Sequence, residues 1–167
     1  MKIGRVTLSD RASAGVYEDR SGPAIESLLC ERSIDPIEWV RVLIPDDREQ
    51  IEAAFRRLCD DDHCHLVIST GGTGPSARDV TPEATRAVLE RELPGFGEVL
   101  RAQSFLHTPT AILSRATAGT RGQSLIVNLP GNPRAIGQCL PMLLPAIIEA
   151  IDHLSGFRWQ LGPPAGA

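Results

Sequence analysis

Several signals that would assign a chain to a common functional class are missing from these 167 residues. The chain has no basic excess, since its formal net charge is −4, and this argues against a nucleic-acid scaffold. Its four cysteines form no Cys-x-x-Cys pair and no signal peptide precedes them, so a reduced cytoplasm is the expected setting. No uninterrupted apolar run is long enough to span a membrane. We therefore expect a cytoplasmic protein with neither a nucleic-acid nor a membrane partner.

Familiar active-site motifs are missing as well. The chain has no Gly-x-x-x-x-Gly-Lys-Ser/Thr sequence, so it is not an ordinary P-loop enzyme, and residues 71–74 do not match the Gly-x-Gly-x-x-Gly dinucleotide motif. No Ser-His-Asp arrangement can be assembled. The run His63, Cys64 and His65 is a poor zinc site, because adjacent residues of an extended segment point to opposite faces.

Apolar periodicity predicts alternating strands and helices. Strands are predicted over residues 3–8, 39–44, 66–69, 115–120 and 123–128, the last two forming a hairpin. The alternation predicts an α/β fold, a three-layer α/β/α sandwich with a mostly parallel sheet and one antiparallel hairpin strand. Residues 1–156 are predicted to form a single domain, and the Gly- and Pro-rich tail over 157–167 is expected to be disordered.

Prolines are expected to interrupt two helices. Pro94 and Gly95 are predicted to stop the helix that begins near Thr81, with another helix running from about residue 96 to 104. Pro141 and Pro145 are predicted to kink the apolar C-terminal helix or to split it in two.

The most informative segment covers residues 69–82. A short apolar strand runs directly into Gly71, Gly72 and Gly74, and Asp79 and a Thr-Pro helix start follow. Closely spaced glycines let backbone amides turn toward an anion, since glycine tolerates positive φ and has no side chain to block approach. Glycine turn, carboxylate and helix N-terminus together suit a metal-bound phosphate. The alternative is a glycine-rich loop without chemistry.

Polar segments follow several of the predicted strands. Because ligands of such sheets bind outside the carboxyl ends of the strands, we expect these segments to meet at one edge. They are Ser9-Asp10-Arg11, Asp46-Asp47, residues 71–79 and residues 129–133.

Two carboxylates at this edge are candidate magnesium ligands. Mg²⁺ usually takes one or two carboxylates together with phosphate oxygens and water, which fits Asp46 and Asp79. Each has an alternative role, as a helix cap for Asp46 and as a turn-forming acid for Asp79. Glu98, at a helix start, could accept from a ligand or complement the helix dipole. Candidate phosphate-binding groups, because guanidinium matches phosphate oxygens, are Arg11, Arg78 and Arg115.

Taken together, these motifs resemble the MogA branch of the MogA/MoaB family, the molybdopterin adenylyltransferases. The resemblance covers the chain to about residue 156. It rests on residues 9–13, 15–17, 43–46, 64–67, 71–75, 78–85, 94–98, 109–115 and 129–133.

The resemblance implies a trimeric α/β protein that transfers AMP from Mg-ATP to the terminal phosphate of molybdopterin and releases pyrophosphate. It implies that Asp46 and Asp79 are the catalytic, Mg²⁺-binding carboxylates and that the product passes to a separate molybdenum insertase. Residues and resemblance together predict a set of substrate- and nucleotide-binding positions. These are Ser9, Asp10, Arg11, Gly71, Gly72, Thr73, Gly74, Thr81, Pro82, Glu98, Ser114, Arg115, Pro130, Gly131, Asn132 and Pro133.

Two alternatives remain at the sequence level. The compact run before the final helix, residues 139–143, is more like MoaB, and a MoaB-like protein could be a non-catalytic molybdopterin carrier or scaffold. An insertase-like or CinA-like domain would share the fold and similar turns, although those are parts of longer chains. The carboxylate pair separates transferase from carrier, because carrying a ligand does not require it.

Overall fold

The computed structural model describes residues 1–163, which form one mixed sheet between two layers of helices. The strands are β1 (Lys2–Leu8), β2 (Glu38–Ile44), β3 (Leu66–Thr70), β4 (Arg91–Glu92), β5 (Ala118–Arg121) and β6 (Ser124–Leu129). Their order across the sheet is β2-β1-β3-β6-β5-β4. Strands β2, β1, β3 and β6 are parallel, β5 is antiparallel to β6, and the short β4 is antiparallel to β5. The predicted fold class is confirmed, with β4 as an addition.

Helices cover both faces of the sheet. They are α1 (Asp10–Ser13), α2 (Ser21–Arg32), α3 (Arg48–Arg56), α4 (Thr81–Val88), α5 (Pro94–Phe105) and α6 (Pro133–Ser155), with a π turn at Arg57–Asp61 and a 3₁₀ turn at Pro109–Leu113. Side chains alternate between faces along a strand. In β3, Leu66 and Ile68 therefore join a core with α2, α5 and α6, whereas Val67 joins a core with α3 and α4.

Helix α6 has the length and composition of a membrane span, with a mean hydropathy of 1.4. The sequence shows no uninterrupted apolar run here, because polar residues such as Gln138 and Glu149 lie within the helix. One face of α6 packs into the core through Ile136, Cys139, Leu140, Leu143, Leu144, Ile147 and Ile151. That packing is the pattern of a core helix.

Of the two predicted effects of the prolines on α6, the split is wrong, and the kink stays a prediction. Pro141 and Pro145 lie inside one continuous helix of 23 residues, and both are exposed. On the solvent side, a carbonyl that loses its helical donor can be hydrogen-bonded by water, so the interruption need not break the helix.

The expected stop at Pro94 and Gly95 is also wrong. Helix α4 ends at Val88, β4 intervenes, and Pro94 lies in the first turn of α5. Proline is well suited to that position because the first-turn amides have no helical acceptor.

The predicted disorder of the tail is wrong for residues 157–163. Trp159 is only 3% exposed, and its Nε1 donates to Ser33 Oγ at 2.8 Å. Leu161 forms a β-bridge with Ser33, and the Gly162 amide donates to the Arg32 carbonyl at 2.7 Å. A large buried aromatic outweighs the Gly- and Pro-rich composition. Residues 164–167, which the same prediction included, lie outside the described residues.

Candidate functional site at the carboxyl edge of the sheet

The carboxyl ends of four parallel strands meet at one edge, as the sequence predicts. Leu8 is in register with Ile44, Thr7 with Thr70, and Thr70 with Leu129. The segments that follow these strands carry the predicted site residues, so parallel pairing collects polar groups from four distant parts of the chain. We call this edge the glycine rim.

Asp46 has one carboxylate oxygen engaged and one that is buried without a partner. Its Oδ2 accepts from the Asp10 amide at 3.1 Å, and the Asp46 amide donates to Asp10 Oδ1 at the same distance. Asp46 Oδ1 is buried and has no hydrogen-bond donor. Burial raises the pKa of Asp46 above its ordinary value, and the negative charges of Asp10 and Asp79 add to the rise. Such an oxygen is expected to bind a cation or a proton.

The glycine loop, residues 71–79, packs directly on Asp46. Gly71 has φ +102° and Gly72 has φ +61°. A Cβ at Gly71 would lie 2.2 Å from the Leu8 carbonyl oxygen. A Cβ at Gly72 would lie 2.3 Å from Thr81 Oγ1 and 2.7 Å from Asp46 Oδ1. Glycine is required here by backbone conformation and by the nearness of the acid.

The same loop brings the second carboxylate to the rim. A Cβ at Gly74 would lie 2.9 Å from Asp79 Oδ2, which accepts from the Ser76 amide at 2.9 Å. Gly72 thus touches Asp46, and Gly74 touches Asp79. Two residues of backbone span at most about 7 Å, so the loop holds both carboxylates in one small region.

Backbone donors of this loop are available for an anion. In the described chain, the amides of Gly72, Thr73 and Gly74 donate to no acceptor, whereas the Gly71 amide donates to the Leu129 carbonyl. The Thr81 hydroxyl donates to the Gly71 carbonyl at 3.0 Å. Successive unpaired amides beside a helix N-terminus are a typical anion-binding arrangement.

Helix α1 supplies Asp10 and Arg11 to the rim. Ser9 caps this helix by accepting from the Ala12 amide at 3.2 Å. Arg78 Nη2 donates to both carboxylate oxygens of Asp10, at 2.7 and 2.6 Å, and this pairing holds the pKa of Asp10 below its ordinary value. The Arg11 guanidinium lies over the Tyr17 ring, 5.1 Å from its centroid. Arg78 therefore joins two loops of the rim and is not free in this conformation.

The turn after β6, residues 130–133, is fastened from two sides. Thr70 Oγ1 donates to the Pro130 carbonyl and Ser21 Oγ to the Gly131 carbonyl, both at 2.7 Å. Asn132 caps α6 by accepting from the Arg134 amide at 2.9 Å, and Pro133 is the first residue of that helix. The turn joins the end of β6 directly to the start of α6.

A cavity of about 210 Å³ opens beside this turn. It includes three of the predicted residues, Ser114, Pro130 and Asn132. Its other polar lining residues were missed by the sequence analysis: Ser104, Thr108, Thr110 and Gln138. They lie on helical faces and on an irregular turn, where no spacing pattern marks them.

Not all predicted residues reach the rim. Glu98 is exposed and lines a separate depression with Arg101 and Phe105. Thr81 and Pro82 are buried, so their side chains pack in the protein interior and are not exposed at the rim. Thr73 is 7% exposed, and its carbonyl accepts from the Arg115 amide at 2.8 Å.

Metal ligands are sparse in the described chain. Among residues 1–163, no three His, Cys, Asp or Glu side chains are grouped to hold a metal ion. Two carboxylates without a third protein ligand are the usual provision for an ion that completes its shell with phosphate oxygens and water.

Fold and rim define an α/β domain whose carboxyl sheet edge offers unpaired amides and two carboxylates, an arrangement typical of binding sites for small anionic ligands. Residues 4–149 match the family model described as a probable molybdopterin binding domain. The chain belongs to this family, and its relatives include the MogA and MoaB proteins.

Two adenylyltransferases and one MoaB crystal structure are similar to this chain over most of its length. The chain is 50% identical to the molybdopterin adenylyltransferase of Helicobacter pylori strain J99, covering 95% of this chain and 90% of that protein. It is 51% identical to the molybdopterin adenylyltransferase of Escherichia coli K12, covering 92% of this chain and 78% of that protein. The crystal structure of the molybdopterin biosynthesis enzyme MoaB from Thermus thermophilus superposes with a TM-score of 0.86 at 38% identity, covering 95% of this chain and 99% of that chain.

Proposed function

We propose that this protein is a molybdopterin adenylyltransferase, which transfers AMP from ATP to the terminal phosphate of molybdopterin with release of pyrophosphate. Curated relatives at about 50% identity carry that name. The observation that carries the proposal is the rim itself, where one glycine loop touches both Asp46 and Asp79. A protein that only carried the ligand would not need two like charges so close together.

Asp46 and Asp79 are the residues that would hold Mg²⁺. The fit rests on Asp46 Oδ1, a buried oxygen without a donor. It rests also on the Asp79 carboxylate, which lies against Gly74, two residues after the glycine that lies against Asp46. When bound, the ion would neutralise negative charge on the triphosphate. ATP is then a co-substrate held by the loop amides and the turn over 130–133.

The reaction needs no covalent enzyme intermediate. A terminal phosphate oxygen of molybdopterin attacks the α-phosphorus of ATP, the new P–O bond forms, and the bond to the β-phosphate breaks to release pyrophosphate. The chain's contribution is to position both anions and to offer the amides of Gly72, Thr73 and Gly74 to the phosphates. The cavity lined by Ser114 and Asn132 would take the organic part of the acceptor.

Mixing the protein with Mg-ATP and molybdopterin tests the proposal. A transferase releases one pyrophosphate for each adenylylated molybdopterin. A non-catalytic carrier, the alternative noted above, binds molybdopterin without releasing pyrophosphate, and that result would reject the proposal.

Gly72→Ala is expected to lose AMP transfer while the protein stays folded. The new methyl group would meet Asp46 Oδ1 and the Thr81 hydroxyl. Gly122→Ala is the matched control, because Gly122 also has positive φ, +54°, but nothing lies within 4 Å of an added Cβ. Both variants should lose about 1–2 kcal/mol of unfolding free energy from left-handed strain. Gly72→Ala should lose more than Gly122→Ala, because its methyl group also meets the buried Thr81 side chain. Equal activity of the two variants would contradict the packing of the loop on Asp46.

We also propose a homotrimer in the cytoplasm that passes its product to a molybdenum insertase. The support for self-association is an apolar surface formed by exposed side chains of α5, the 3₁₀ turn and α6. These are Val99, Phe105, Leu106, Ile112, Leu113 and Met142, each at least 40% exposed. Val99 and Met142 line one depression, and Phe105 and Ile112 line another. Exposed apolar patches commonly mark protein interfaces. All four cysteines are free thiols, which fits a reducing compartment.

Leu106→Glu is expected to convert the trimer into monomers, since a charge would be buried without a partner in the interface. Leu106 is 73% exposed in the single chain, so the substitution should not disturb the monomer fold. Val16→Glu is the control, because Val16 is 71% exposed outside this surface. Sedimentation velocity measures the mass, and a trimeric Leu106→Glu variant would show that another surface is used.

A further inference from the structure

Arg115, predicted from the sequence to bind phosphate, is engaged by protein acceptors at every guanidinium nitrogen. Its Nε donates to the Gly74 carbonyl at 2.8 Å, and Nη2 donates to the Asp79 carbonyl. Nη1 pairs with Glu83 Oε1 on α4. The Arg115 amide also donates to the Thr73 carbonyl. One residue thus contacts the beginning and the end of the segment from Gly74 to Asp79.

These contacts fix the shape of the loop. A guanidinium presents its donors in a rigid planar fork, so bonds to the Gly74 and Asp79 carbonyls set the distance between those carbonyls. The Asp79 carboxylate accepts from Ser76, inside the same segment, and that bond does not tie the segment to the rest of the protein. Arg78 ties the segment to Asp10 on α1, and Arg115 ties both ends of the segment, through Glu83, to the first turn of α4.

The charges around Arg115 oppose a direct role in phosphate binding. The Glu83 carboxylate lies against the guanidinium and accepts from it through Oε1. Its second oxygen, Oε2, is buried and has no hydrogen-bond donor. A phosphate that approached Arg115 would have to displace a carboxylate and two carbonyls. It would also face the repulsion of the displaced carboxylate.

We infer that Arg115 is a positioning residue, which holds the glycine loop so that Asp79 meets the substrates at the rim, and that Glu83 anchors it. This inference rests on the proposed adenylyl transfer for its kinetic consequence. Its structural consequence, a loop held in one shape by the Glu83–Arg115 pair, stands without it.

Glu83→Gln separates positioning from phosphate binding. If Arg115 gripped phosphate, removal of the competing carboxylate would leave KM for ATP unchanged or lower it, with kcat preserved. If Arg115 positions the loop, the glutamine oxygen keeps only a weaker neutral bond to Arg115, and this loosened anchor should lower kcat and leave KM for ATP nearly unchanged. Arg115→Lys keeps the charge but cannot bridge two carbonyls. We expect it to lower kcat by about 10- to 100-fold, the usual consequence of a small misplacement of reacting groups.

Arg121→Lys is the matched control. Arg121 also joins a carboxylate, that of Asp60, to a backbone carbonyl, that of Val88, and it lies at the β5–β6 hairpin away from the rim. Its replacement should leave both kinetic constants unchanged. Should Arg115→Lys fail to fold, Glu83→Gln decides alone, because it is isosteric and Glu83 is 39% exposed.

Hydrogen–deuterium exchange provides a readout independent of turnover. Peptides covering residues 71–80 should exchange faster in Arg115→Lys and Glu83→Gln than in the parent protein and in Arg121→Lys. Faster exchange in these two variants, together with a parent protein that transfers no AMP, would refute the proposed function and keep the positioning role. Unchanged exchange together with unchanged kcat, or a lower KM in Glu83→Gln, would overturn the inference.

Discussion

Asp79→Asn is expected to fold normally and to lose AMP transfer by at least about 100-fold, the usual cost of removing a preorganised charged group from a reaction centre. The substitution keeps the shape of the side chain and removes its charge. The Asp79 carboxylate accepts from the Ser76 amide, and the asparagine oxygen can accept the same bond, so the loop should be preserved. Single-turnover measurement of pyrophosphate release gives the rate, and molybdopterin affinity should change much less.

Asp46→Asn should behave in the same way, because Asp46 Oδ1 lies against Gly72 at the same rim. Asp47→Asn is the matched control on the adjacent residue. Asp47 caps α3 by accepting from the Gln50 amide at 3.0 Å, and asparagine caps a helix equally well. Asp47→Asn should therefore keep both stability and turnover. Near-normal turnover in Asp79→Asn would contradict the proposal that the two carboxylates act together in AMP transfer.

Trp159→Ala is expected to lower the free energy of unfolding by about 3–5 kcal/mol, the range for truncating a buried large aromatic. Trp159 is 3% exposed and packs in the same core as α2 and α6. It lies at the amino edge of the parallel strands, where neighbouring Phe157 packs against His65 with 4.8 Å between the centroids of the tilted rings. Urea unfolding gives the free energy, and turnover per folded molecule should not change.

Trp159→Phe isolates the hydrogen bond to Ser33 from the packing. It keeps most of the buried area and loses the indole donor, so the expected cost is about 1 kcal/mol. A Trp159→Ala protein within 1 kcal/mol of the parent would mean that the tail is not held as the contacts indicate.

Much of the rim was predictable from the sequence, because parallel strands end at the same edge of a sheet and so fix where the following segments lie. Once Leu8, Ile44 and Leu129 are recognised as strand ends, pairing alone puts the segments after them at one edge. Glycine spacing is a local signal. The alternative role of Asp46 as a helix cap is wrong, because the adjacent Asp47 caps α3.

Errors arose where a distant contact outweighs a local rule. Pro94 could end one helix or begin another, and the choice depends on β4 pairing with β5. The tail is fixed by Trp159 reaching Ser33, a contact over 126 positions. For arginines the sequence shows the charge but not the partner, so the engagement of Arg78 by Asp10 and of Arg115 by the loop required coordinates.

The tryptophans and the tyrosine of this protein lie at different ends of its parallel strands. Its two tryptophans, Trp39 near the start of β2 and Trp159, lie at the amino edge of the strands, and its one tyrosine, Tyr17, lies beside Arg11 near the rim. Tryptophan fluorescence should therefore follow unfolding of the tail and stay silent when nucleotide binds. Tyrosine emission, or a fluorinated tyrosine at position 17, would be the natural spectroscopic reporter of ligand occupancy.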